Sequence, residues 1–160
     1  MPRLILVRHA RAVDRIDADD DFERGLTPEG RDAIRRTAEQ LRDASVAVDL
    51  VLVSPAQRTM QSFVAMREAL GNPPFEDPMT LYHASPEMLF RAALETFERA
   101  ENLMIIGHNP GIGALAQSLA ERAGNAADMP DGFPTSAAVV FQTDTVLDKL
   151  SLEHLIQPES

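Results

Sequence analysis

Leu4-Ile5-Leu6-Val7-Arg8-His9-Ala10 is the stretch that decides the reading of this chain. Four apolar residues in succession, Leu4 to Val7, read as a strand buried on both faces. The run stops at Arg8 and His9. In open α/β sheets ligands gather at the carboxyl ends of strands, so a cation and an imidazole at that point mark a candidate site. Two further apolar runs end in polar turns that lead into helical patterns. Val48 to Val53 runs into Ser54-Pro55-Ala56-Gln57-Arg58-Thr59-Met60-Gln61-Ser62, and Asn102 to Gly107 runs into His108-Asn109-Pro110-Gly111.

The elements around these runs alternate. Thr27 suits a helix N-cap with Pro28 at the first helical position, and apolar residues recur at helical spacing to about residue 44. Ser54 is expected to cap, and Pro55 to open, a second helix that stops at Gly71. Asn72 to Thr80 reads as a proline-rich connection and Leu81 to Ala84 as a short extended piece. Helices follow from Ser85-Pro86-Glu87 and from about Ile112 to Ala123. Gly107 is expected to permit close backbone approach. Gly124 to Pro134 reads as a loop, Ala137 to Gln142 as a strand and Leu150 to Ile156 as a short edge strand. Strands alternating with helices predict a three-layer α/β/α sandwich with a mainly parallel sheet, in one domain over 1–160.

Bulk properties narrow the function. The chain has 160 residues, 44% of them hydrophobic, and a formal net charge of -10. That charge disfavours nucleic acid and anionic membranes, both of which select basic surfaces. No apolar run is long enough to span a bilayer, no secretory leader is evident at Met1-Pro2-Arg3, and there is no cysteine. A cytoplasmic location is expected. Of 15 basic residues only Lys149 is lysine, and arginine is the better residue for two-pronged phosphate contacts. Asp17, Asp19 and Asp21 alternate as in a calcium loop. Phe22 and Pro28 stand where that loop needs glycine and glutamate, so Arg11 to Gly25 reads as a solvated acidic loop. Arg24 reads either as folding that loop back over the site or as an exposed charge.

Arg8-His9, Ser54 with Arg58, and His108 thus fall at one edge of one sheet. Arg58 lies in the first turn of its helix, where a cation is unfavourable unless an anion visits. Arg8-His9-Ala10 resembles the Arg-His-Gly signature of the histidine phosphatase superfamily, the phosphoglycerate mutase-like fold, with alanine in the glycine slot. Ser54 to Ser62 resembles its second arginine motif and Gly107-His108-Asn109-Pro110-Gly111 its second histidine motif. Leu26-Thr27-Pro28-Glu29-Gly30, Leu81-Tyr82-His83-Ala84-Ser85 and Phe133-Pro134-Thr135 are similar to the SixA branch, whose members dephosphorylate phosphohistidine on signalling proteins.

The resemblance implies a covalent phosphohistidine intermediate on His9, with Arg8, Arg58 and His108 on the phosphoryl oxygens and Ser54 and Asn109 as further binding residues. Two flanking guanidinium groups are expected to keep the His9 ring neutral. No metal or other cofactor is implied, because two histidines without a carboxylate partner make a poor zinc site. A general acid is not resolved among Glu76, Asp77, Tyr82 and His83. That gap favours a phosphohistidine protein as substrate over a small phosphate ester of a sugar or nucleotide, since an alkoxide needs a proton more than an imidazole does. A phosphate-binding module without turnover is the alternative outside enzymology. His83 and His154 are expected at the surface.

Overall fold

The computed structural model describes residues 1–158. A six-stranded sheet has the order β3-β2-β4-β1-β5-β6, with β1 at Arg3–Arg8, β2 at Leu50–Val53, β3 at Phe75–Glu76, β4 at Asn102–Gly107, β5 at Ala138–Thr143 and β6 at Leu150–Ile156. β3, β2, β4 and β1 run parallel, and β5 and β6 complete the sheet antiparallel.

The central strands are fully buried because both faces of the sheet are covered. Ile5, Val7, Val51, Val53, Met104 and Ile106 pack against Ile34, Leu41, Phe63 and Met66 of α1 (Pro28–Asp43) and α2 (Gln57–Arg67). The alternate residues Leu4, Leu6, Leu52, Leu103 and Ile105 pack against Leu89, Leu115 and Leu119 of α3 (Pro86–Thr96) and α4 (Gly111–Arg122). One strand period of two therefore feeds two cores, which is the three-layer arrangement that the sequence predicts. No helix among the described residues is long and apolar enough to cross a membrane.

Thr27 caps α1 as expected, its hydroxyl accepting from the Gly30 amide at 3.0 Å with Pro28 at the helix start. Three local expectations are corrected. Ser54 does not cap α2. That helix starts at Gln57 after Ala56, without a side-chain cap, and ends at Arg67 rather than near Gly71. The connection after α2 contains β3, whose two residues pair with Val51 and Leu52, too short a run to show a strand period. Leu81 closes a 3-10 turn over Met79–Leu81 instead of extending.

The parallel register sets the site. Val7 and Val53 both pair with Ile106, and Arg8 pairs with Gly107. The residues that follow, His9, Ser54 and His108, emerge side by side at the carboxyl edge of three adjacent strands.

Candidate functional site

His9 and His108 face one another across the end of the sheet, with ring centroids 5.4 Å apart. Each is 7% exposed. His9 Nδ1 lies 2.6 Å from the Ala10 carbonyl oxygen. A carbonyl only accepts, so Nδ1 carries the proton and Nε2 keeps its lone pair. Burial, foremost, lowers the His9 pKa to about 4, and Arg58, Arg8 and Arg24 add to it against the Ala10 hydrogen bond. The guanidinium groups therefore act as expected, but desolvation is the larger cause. His108 falls to about 3 for the same leading reason, with Arg58 next. Both rings are neutral at pH 7.

Arg58 is 5% exposed, in the first turn of α2. Ser62, one turn later, ties that turn to the end of β1: its hydroxyl accepts from the Ala10 amide at 2.9 Å and donates to the Arg58 carbonyl at 2.7 Å. Arg8 Nη1 donates to the Phe133 carbonyl at 3.4 Å, while its buried Nε has no partner among the described residues.

Ser54 and Asn109, expected as binding residues, have structural partners. Ser54 Oγ sits 2.7 Å from His108 Nε2 and so fixes that ring. Asn109 donates to the carbonyls of Gly132 at 2.6 Å and Phe133 at 3.2 Å, and its oxygen accepts from the Gly113 amide at 3.0 Å. It thereby holds the loop whose Phe133 carbonyl receives Arg8. The close approach expected at Gly107 belongs to Gly111. A Cβ on Gly107 would meet only Ile112 at 3.6 Å, whereas one on Gly111 would lie 2.1 Å from the Ala84 carbonyl oxygen. The backbone of the Tyr82-His83 turn thus rests directly on the start of α4.

The sequence reading missed Asp21, taken there as part of a solvated loop. Arg58 Nη1 donates to the Asp21 carbonyl at 2.8 Å and Nη2 to Asp21 Oδ2 at 3.1 Å. Tyr82 Oη donates to the same Oδ2 at 2.5 Å, and Arg24 Nη1 to Oδ1 at 3.1 Å. Led by the Tyr82 hydrogen bond, these contacts hold the carboxyl well below the usual carboxylate range. Arg24 also donates to the Val13 carbonyl at 2.8 Å, so it ties the loop to itself, and it is Asp21 that joins the loop to Arg58 at the site. The available signal was Phe22, an aromatic residue in an acidic loop. It packs edge-on against Tyr82, centroids 5.1 Å apart.

Tyr82 and His83 wall the mouth of the site. Their rings lie 3.9 Å apart, and 5.7 and 6.3 Å from His108. His83 has its side chain 67% exposed, with Nε2 3.9 Å from Asp21 Oδ2. Surface exposure was expected for it, and with Tyr82 it is one of the general-acid candidates that the fold brings to the site. His154 lies on β6 beside Glu153 and is half-buried. Glu76 is gripped by both guanidinium nitrogens of Arg99, which ties it to the β3 edge. A buried neutral imidazole with a free Nε2, beside two guanidinium groups and a second imidazole, can attack an electrophile whose negative charge those cations offset.

Residues 4–80 match the sequence profile of the histidine phosphatase superfamily (branch 1). The chain is 30% identical over 145 residues to phosphohistidine phosphatase SixA of Escherichia coli K12, an alignment covering 89% of this chain and 86% of that one. A SixA-type crystal structure from Agrobacterium tumefaciens superposes with a TM-score of 0.88 at 27% identity, over 98% of both chains. The protein histidine phosphatase SixA solved with tungstate superposes with a TM-score of 0.81 at 26% identity, over 98% of this chain and 97% of that one. The arrangement of elements is the phosphoglycerate mutase-like fold of these neighbours. By sequence, fold and likeness to SixA, this chain belongs to the histidine phosphatase superfamily and is a phosphatase of its SixA-like group.

Proposed function

We propose that the protein removes phosphate from phosphohistidine on a protein substrate, through a covalent intermediate on His9. The observation that carries this reading is the His9 hydrogen bond. With Nδ1 committed to the Ala10 carbonyl, Nε2 is the nucleophilic atom, and the lowered pKa keeps its lone pair available at neutral pH. Nε2 attacks phosphorus, the P–Nε2 bond forms, and the bond to the leaving group breaks with its electron pair. Water then attacks phosphorus, the P–Nε2 bond breaks, and inorganic phosphate leaves.

In this reading Arg8, Arg58 and His108 hold the phosphoryl oxygens. Phosphoryl transfer depends mainly on such positioning and charge stabilisation. That a SixA structure was solved with tungstate, a tetrahedral oxyanion, supports an oxyanion site in this family. A phosphohistidine substrate is supported by the likeness to E. coli SixA and by the carboxylates. Glu76 is paired with Arg99 and Asp21 is held ionised, which leaves neither as a proton donor. An imidazole leaving group tolerates that; a sugar alkoxide does not.

The test is to incubate the protein, in chelator, with a phosphohistidine-bearing protein labelled on phosphorus, and to quench within milliseconds. Acid-labile label on wild-type chain and none on His9→Ala is the expected result. Turnover with label-free His9 would overturn the covalent route. Turnover of sugar or nucleotide phosphates alone would overturn the substrate assignment.

A further inference from the structure

We infer that Asp21, Tyr82 and His83 form a leaving-group subsite, which takes the protonated imidazole ring of a phosphohistidine in preference to the leaving group of a phosphate ester. The inference rests on the phosphohistidine reading above and assigns the groups that select that substrate.

The argument begins with the direction of the cup. His9 and His108 are buried, so an attacked phosphoryl group can carry its leaving group only outward. Side chains at the mouth include Asp21, 36% exposed, the more exposed His83, and Tyr82, which touches both. The Asp21 carboxylate stands one guanidinium away from the phosphoryl position, because Arg58 Nη2 bonds it. Its two oxygens offer about four acceptor sites, and three are filled by Tyr82, Arg58 and Arg24. The fourth, on Oδ1, has no partner among the described residues.

The chemistry of the occupant follows. A phosphohistidine ring protonated at its second nitrogen is planar and cationic. It presents one N–H, which suits an ionised carboxylate, and a charge, which suits the face of an aromatic ring. The exposed His83 ring, stacked on Tyr82 at 3.9 Å, supplies that face, and Tyr82 holds it beside the carboxylate through its own hydroxyl. When the P–N bond breaks, the electron pair goes to the nitrogen that carried phosphorus. The ring departs as neutral imidazole with its other N–H in place, so no proton has to be delivered. The same carboxylate works against esters. Their leaving oxygen gathers negative charge, and an ionised Asp21 both repels it and cannot protonate it.

The test compares wild type with Asp21→Asn, Tyr82→Phe and His83→Ala on three substrates: a phosphohistidine peptide, p-nitrophenyl phosphate and phosphoramidate. Phosphoramidate has a P–N bond but no ring, so it separates bond lability from ring recognition. For Asp21→Asn, kcat/KM on the peptide is expected to fall about tenfold or more, and on the other two by about threefold or less. His83→Ala, at an exposed position, is expected to show the same bias. Equal losses on all three substrates would mean that Asp21 acts only by holding Arg58, and would overturn the subsite while leaving the phosphohistidine reading intact. Wild type that turns over p-nitrophenyl phosphate but not the peptide would overturn both.

Discussion

Arg58 and Asp21 are joined twice, through the Asp21 carbonyl at 2.8 Å and its carboxylate at 3.1 Å. The two bonds use one N–H on each terminal nitrogen, and the planar fork leaves further N–H groups for a phosphoryl oxygen. A lysine cannot reproduce that division, since an ammonium is a point charge on a flexible stem. Arg58→Lys is therefore expected to lose about 100-fold or more in kcat/KM. It should also speed amide exchange in residues 14–24. Normal exchange in that loop would show that the Asp21 contact does not hold it.

Burial sets the protonation of the two rings, and NMR can read it. His9 titrates near 4 and His108 near 3, against 6.5 for a free imidazole. The ring protons of both are expected to stay unshifted from pH 8 down to about 5. A midpoint near 6.5 for His9 would mean that its nucleophilic form is half lost at that pH.

The same shifts make stability depend on pH. Each folded-state value lies below the unfolded one, so the unfolded chain takes up the proton first. Stability is full above about pH 6.5 and declines as pH falls toward 4. At pH 5 the cost is about 2 kcal/mol for each histidine, as an order of magnitude. Urea unfolding at pH 7.5 and pH 5 should show that loss, and His9→Gln should reduce it. Equal sensitivity in the variant would assign the loss to other groups.

Gly111 carries the turn that bears Tyr82 and His83. A methyl group there would stand 2.1 Å from the Ala84 carbonyl oxygen, so backbone must move. Gly111→Ala is expected to cost about 1–3 kcal/mol and to lower activity as well. Gly107→Ala, meeting Ile112 at an ordinary 3.6 Å, should cost less. Thermal melts of the two variants give the comparison; a smaller loss for Gly111→Ala would contradict the contact.

Ser54 orients His108 through a single hydroxyl. His108 Nδ1 is already buried without a partner among the described residues, so Ser54→Ala would leave both ring nitrogens unsatisfied. A loss of about tenfold in kcat is expected, with a smaller change in Tm than Gly111→Ala produces. Unchanged kcat would show that the ring holds its place by packing alone.

The longer strand runs, the starts of α1 and α3 and the positions of His9, Arg58 and His108 were legible in the order of residues. Continuous apolar runs and N-cap residues act within a few neighbours, and the polar residue after a buried run must sit at the sheet edge. Glu76 and Asp21 were not separable on that basis, since each is an acid in a polar stretch. Only folding gave Glu76 to Arg99 and Asp21 to Arg58 and Tyr82, across separations of 23, 37 and 61 residues. Ser54 moved from a helix cap to a histidine partner for the same reason. A short polar side chain bonds whatever donor or acceptor the parallel register sets beside it, and that neighbour lies 54 residues away.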